Sequence, residues 1–173
     1  EMASAMERRQ ILQEFNNTGA KYAKDRTIYE LFEAQVEQNP NHPAVIFAEQ
    51  QLTYLELNRK ANQLARVLRK KGVTRDSIVG ILLERSPEMM IGLMATLKAG
   101  GAYLPISPEY PEERITYMLQ DSKALVLLTN ATFKDKAAFE GEVLCLEDEG
   151  LYSGDDSNPA LVNKPTDLAY VIY

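Results

Sequence analysis

The stretch Leu97-Lys98-Ala99-Gly100-Gly101-Ala102-Tyr103-Leu104-Pro105-Ile106 reads as the end of a helix, a glycine stop and an immediate strand. Gly100 or Gly101 can take the left-handed conformation that closes a helix. Residues 103–106 then resume an extended apolar run, and Pro105 keeps helix from continuing. A junction of this kind belongs to chains in which helices and strands alternate.

Upstream of it, Ser86 caps a helix with Pro87 at its first position, and residues 89–97 make that helix apolar nearly all round, as in a buried one. Residues 77–83 form a continuous apolar run, typical of a strand buried on both faces. Thr53 and Glu56 make a capping box for a helix that ends at Lys71 and is closed by Gly72. Leu57, Ala61, Leu64, Ala65 and Leu68 line its inner face, with Arg59, Lys60, Arg66 and Arg69 outside. Residues 44–47 and 51–53 read as a hairpin around Ala48-Glu49-Gln50. Thr27 and Glu30 box the start of a helix to about Gln38, with an apolar stripe of Ile28, Leu31, Phe32 and Val36.

Downstream, Pro108 and Pro111 mark a loop, and Glu112 and Glu113 open a helix to about Ser122 with Ile115, Met118 and Leu119 inside. The pattern then predicts a buried strand at 124–129, a short helix at 134–139, a strand at 142–146, a polar loop at 147–164 and a last strand at 168–173. Alternation of this kind predicts an α/β fold: a layered, mainly parallel sheet flanked by helices. Residues 1–24 are polar and weakly patterned, with helix from Met6 to Phe15, and read as a linker or terminal arm; residues 25–173 are the domain proper.

The 173 residues suffice for one core, and 45% hydrophobic with 25% charged residues is ordinary for a soluble domain. A net charge of −6 argues against a nucleic-acid partner, which needs a basic face. The longest mostly apolar stretch, 89–97, is too short to span a membrane. The single cysteine, Cys145, allows no internal disulfide and suits a cytoplasmic protein.

Candidate chemistry is sparse. A phosphate cradle runs strand, glycines, helix N-terminus, whereas Gly100-Gly101 follows a helix end and precedes a strand. His42 is the only histidine and sits between prolines, and Cys145 reads as a buried structural thiol. Glu147-Asp148-Glu149 and Asp155-Asp156 read as a solvated acidic loop rather than a metal site. None of Ser77, Ser86, Ser107, Ser122, Ser153 and Ser157 has a nucleophile's setting. No catalytic, cofactor-binding or metal residue is therefore assigned.

Residues 97–106 closely resemble a core motif of the adenylation domains of nonribosomal peptide synthetases. Leu52-Thr53-Tyr54-Leu55-Glu56-Leu57 resembles a second motif, and Leu168-Ala169-Tyr170-Val171-Ile172-Tyr173 the start of a third, in the family's order. The run from Arg8 to Thr18 looks like the segment joining a condensation domain to an adenylation domain. Ser107 departs from the pattern, since family members usually carry Asp there. The resemblance implies the N-terminal part of the large subdomain of an adenylate-forming enzyme. It implies a ligase-type activity of the parent: with ATP and Mg, an amino acid becomes an aminoacyl adenylate and then loads a phosphopantetheine thiol. In the family the phosphate loop, substrate pocket, ribose-binding Asp and catalytic Lys all follow the stretch matching 168–173. The chain alone is then an inactive scaffold that binds no cofactor itself. Its implied partners are the remaining C-terminal part of the adenylation domain, a carrier domain and an upstream condensation domain. Two other readings stay open: the start of an acyl- or aryl-CoA ligase, and a free-standing, non-catalytic α/β binding module.

Overall fold

Helices begin in this protein where side chains can satisfy their free N–H groups. In the computed structural model, residues 3–173 are described; Glu1 and Met2 of the expected arm lie outside the described residues. The order is α1 (Ala5–Arg9), continued by a π-turn at Gln10–Glu14, α2 (Ile28–Gln38), β1 (Pro43–Phe47), β2 (Gln50–Thr53), α3 (Tyr54–Lys70), β3 (Ile78–Leu82), α4 (Pro87–Ala99), β4 (Ala102–Ile106), α5 (Glu112–Asp121), β5 (Val126–Thr129) and β6 (Glu142–Cys145). Both expected capping boxes form, Thr27 with Glu30 and Thr53 with Glu56. Ser86 Oγ accepts the Met89 N–H at 3.2 Å, with Pro87 at the first helical position.

The carboxyl ends of α3, α4 and α5 share one geometry. Gly72 and Val73 donate to Arg69 and Leu68, Gly100 and Gly101 to Leu97 and Thr96, and Lys123 and Ala124 to Gln120 and Leu119. Each pair closes its helix on a left-handed residue: Gly72 at φ +91°, Gly100 at +112° and Lys123 at +54°. Glycine takes the first two places freely, whereas Lys123 holds the third against the steric bias of an L side chain.

Strands β3 to β6 form one parallel sheet in the order β4-β3-β5-β6. The chain moves one way from β3 to β4, then back across β3 to β5. Right-handed crossovers travelling in opposite directions put their helices on opposite faces. Accordingly α4, with α3 beside it, covers Val79, Ile81, Val126 and Leu128, while α5 covers Leu82, Leu104 and Leu127 from the other side. The antiparallel hairpin β1–β2 packs Ala44, Val45 and Leu52 against the α3–α4 core.

The structure corrects the sequence reading at several places. On α2 the inward residues are Tyr29, Phe32 and Val36, whereas Ile28 and Leu31 are 54% and 45% exposed. Glu33 meets Lys98 of α4, and residues 29, 33 and 36 share that face of the helix. Residues 134–139 are not helical. The Asn130 side chain accepts the Phe133 N–H at 3.1 Å to make a turn instead, and Lys136 donates to the Pro108 carbonyl. Residues 168–173 make only a single bridge, Tyr103 with Tyr170. Tyr103 donates to Ala169 at 3.1 Å and accepts from Val171 at 3.0 Å. The next donor facing that edge belongs to position 105, and Pro105 has no N–H, so the ladder stops.

Candidate functional site

Open α/β sheets bind ligands beyond the carboxyl ends of their strands, where the chain departs in opposite directions. Here the chain leaves β3 toward β4 and leaves β5 toward β6. That places the switch point between β3 and β5, and a groove of about 750 Å³ opens one strand over, at the carboxyl ends of β3 and β4. Leu83, Ile106 and Met118 contribute its apolar lining, Glu84 and Arg85 come from the loop after β3, and Phe47 from the hairpin. Residues 107–110 form another wall, and Ile172 and Tyr173 close the rim.

Local chemistry fixes these walls. Ser107 Oγ accepts the Glu109 N–H at 3.2 Å, and the Ser107 carbonyl accepts from Tyr110 at 3.2 Å. An aspartate there would accept the same main-chain N–H, so serine keeps the turn. The Arg114 guanidinium lies 4.3 Å from the Tyr110 ring centre. Tyr173 donates to Asp121 at 2.6 Å, and that hydrogen bond pushes its hydroxyl up to about 12. At neutral pH Tyr173 is therefore a donor and not a base. The groove can enclose and hydrogen-bond a group, but among the described residues no nucleophile–base pair faces it.

The residues singled out in the sequence disperse into structural roles. Gly100 and Gly101 spend their N–H groups on Leu97 and Thr96, so neither is free to cradle a phosphate. His42 is exposed in the turn before β1. Cys145, expected to be buried, is half-buried at the end of β6. Glu147 accepts the Ala131 N–H at 2.9 Å, and Asp148 caps the short turn at Glu149–Tyr152. Among the described residues no three carboxylate, histidine or cysteine side chains converge as a metal-binding group. Ser77 accepts from the Thr74 N–H, and Ser122 and Ser153 donate to the main chain one turn back.

The acidic pair Asp155-Asp156 is solvent-exposed and also ion-paired. Asp155 pairs with Arg66 at 2.7 Å and Asp156 with Arg59 at 3.2 Å. Asn58 and Asn62, both buried on α3, donate to the Asn158 side chain at 2.9 Å, and Asn62 also donates to the Asp156 carbonyl. Arg69, expected on the outer face, turns inward: its guanidinium donates to the carbonyls of Lys98, Ala99 and Ala160 at 2.6, 3.2 and 2.8 Å. One polar stripe of α3 thus binds an irregular strap, residues 154–160, through both its side chains and its main-chain carbonyls.

Sequence reasoning also missed Lys98. Its side chain is fully buried, donates to Glu33 of α2, and lies 5.9 and 6.0 Å from the ring centres of Tyr29 and Phe32. The available signal was polarity at core positions: Asn58 and Asn62 one turn apart on the inner half of α3, and a lysine inside an otherwise apolar helix. A smaller cavity of about 90 Å³ lies between the first turn of α2, Leu97 and the segment 163–169.

Comparison with known proteins places this geometry. A family model described as AMP-binding enzyme matches residues 32–173. Gramicidin S synthase 2 of Brevibacillus brevis is 52% identical over 173 residues, all of this chain and 4% of that protein. Bacitracin synthase 2 of Bacillus licheniformis is 51% identical over 172 residues, 99% of this chain and 7% of that protein. The chain thus spans only a few per cent of such relatives. Among solved structures, the nonribosomal peptide synthetase FmoA3 with bound α-methyl-L-serine-AMP superposes with a TM-score of 0.87 at 30% identity, over 96% of this chain and 19% of that one. The N-terminal subdomain of NpsA from Klebsiella oxytoca, in complex with 3-hydroxybenzoyl-AMSN, gives 0.75 at 26% identity, over 88% and 39%.

Proposed function

The chain belongs to the AMP-binding enzyme family, and from that premise we propose that it forms the first part of an amino-acid adenylation domain in a nonribosomal peptide synthetase, as scaffold rather than as a source of catalytic groups. Identity of about half to gramicidin S synthase 2 along the whole chain carries the reading. In the parent enzyme an amino-acid carboxylate attacks the α-phosphate of ATP and pyrophosphate leaves. The aminoacyl group then passes to a phosphopantetheine thiol on a carrier domain. Residues 1–24 act as the linker from an upstream condensation domain, and the enzyme works in the cytoplasm.

The described residues do not fit a resident metal, because their carboxylates are dispersed and engaged in loops and caps. What these residues do is positional. The edge of β4 seats residues 169–171 through Tyr103, and the groove presents hydrogen-bonding walls beside Tyr173.

An aryl-acid substrate is the second reading, favoured by the likeness to the NpsA subdomain crystallised with a 3-hydroxybenzoyl compound. ATP–pyrophosphate exchange separates the two. The chain joined to the remaining adenylation segment should exchange with amino acids and not with acyl or aryl acids, and the chain alone should be silent. Exchange driven by an aryl or acyl acid refutes the choice of substrate class. Exchange by the isolated chain refutes the scaffold role.

A further inference from the structure

Lys98 heads the fully buried side chains by volume among the described residues, and it is a cation. Desolvating an ammonium carries a penalty that a hydrophobic residue of the same size does not incur. The neighbouring Glu33 carboxylate offsets part of it, and the Tyr29 and Phe32 rings complete the enclosure. A buried pair of this kind is weak evidence for stability, but it has directional preference: Glu33 is the acceptor that Lys98 meets, whereas two apolar chains could pack in several registers.

That register has a structural consequence. The pair joins α2 to the last turn of α4. Across the joint lies the segment 163–169, which shares a small cavity with Thr27, the cap of α2, with Tyr29 of α2 and with Leu97 of α4. Asn163 donates to the Gly100 carbonyl at 3.0 Å, and Ala169 accepts from Tyr103. Where α2 sits on α4 therefore sets the floor on which this segment runs to the edge of β4.

We propose that the Lys98–Glu33 pair is a positioning device, fixing α2 on α4 in one register and so seating residues 163–171 against β4. By an extension that rests on the function proposed above, Lys98 and Glu33 become positioning residues for adenylation, because they orient the chain that leads onward from the sheet edge.

The test compares the full-length protein with its Lys98→Met/Glu33→Leu double variant by hydrogen exchange across residues 163–173 and by thermal melting. The double variant should melt within about 3 °C of wild type or above it. Its amides at 169–173 should nonetheless exchange on the order of tenfold faster. Wild-type exchange in a stable double variant overturns the proposal. So does a double variant that fails to fold, since the pair would then supply stability and not register. The Lys98→Met single variant, which leaves Glu33 unpaired, should melt well below the double variant; equal melting of the two overturns the pairing argument. Pyrophosphate exchange is read in parallel. A fall in kcat larger than the change in KM supports the catalytic extension. Faster amide exchange with unchanged kcat supports the positioning device and overturns only that extension.

Discussion

Replacement of Arg69 separates a reading from periodicity from one based on the folded chain. Its place on the outer side of α3 would make Arg69→Met a surface change, worth within about 0.5 kcal/mol. In the structure the guanidinium serves three carbonyls at once: Lys98 at 2.6 Å, Ala99 at 3.2 Å and Ala160 at 2.8 Å. The first two belong to the last turn of α4, whose carbonyls have no partner within the helix and favour a cation. Burial lowers the Arg69 pKa, but guanidinium remains charged at any ordinary pH. Hydrogen bonds to a charged group contribute roughly 1.5–3 kcal/mol each when isolated. These three share one half-buried donor and are not additive, so about 3 kcal/mol in total is expected. For a domain of this size that lowers Tm by roughly 6–12 °C. Methionine keeps most of the apolar stem, so lost packing contributes little. Arg69→Lys keeps the charge but reaches fewer acceptors and should fall about midway. Thermal melting followed by circular dichroism measures both. A Tm for Arg69→Met within about 2 °C of wild type would falsify the account of these three hydrogen bonds, and Arg69→Lys equal to wild type would remove the argument from the planar guanidinium.

Lys123→Gly should raise Tm by about 2–4 °C, because glycine takes the left-handed closing position of α5 without an L residue's penalty of about 1 kcal/mol; a lower Tm contradicts this. Gly101→Ala should destabilise by about 1–3 kcal/mol in urea unfolding, since its Cβ would lie 2.8 Å from the Ser77 carbonyl and 3.0 Å from Val73. Gly154→Ala, with nothing within 4 Å, is the matched neutral control, and equal effects at the two glycines would refute the steric argument. Asp167 is held below the usual carboxylate range by Arg75 and by the Lys164 N–H, and Glu30 and Glu56 by the N–H and hydroxyl of their capping threonines. Carboxylates depressed in the fold stabilise fully above their unfolded pKa and lose that contribution as pH falls through the folded value. Tm should therefore hold from neutrality to about pH 5 and decline below about pH 4. Asp167→Asn should make the decline shallower, and an identical acid profile would show that the Arg75 pairing contributes nothing.

Elements whose signal is local were legible. The capping boxes at Thr27 and Thr53, the Ser86-Pro87 start, the glycine stop at Gly100 and the buried runs of β3 and β5 all form where they were read. They rest on contacts within one turn, or on burial so complete that nearly every position is apolar.

What failed was choice among partners distant in the chain. Periodicity allows a stripe at 28, 31 and 32 of α2, whereas in the fold Tyr29, Phe32 and Val36 turn inward and Glu33 meets Lys98. Residues 168–173 have the composition of a strand, but pairing needs an edge with donors, and Pro105 withholds the next one. The polar run after residue 147 reads as loop from either viewpoint. That it is bound by Asn58, Asn62, Arg66 and Arg69 depends on the strap passing over α3, a crossing some 90 residues long in sequence.

By itself, then, the sequence determined most of the helices and strands, where most of them start and stop, and the family to which they belong, because each of those is encoded over a few adjacent residues. Tertiary structure decided which polar groups go inside, which face of α2 is hidden and where the sheet ends. A buried charge, an orphaned carbonyl or an edge without a donor is defined only by what the rest of the chain brings next to it.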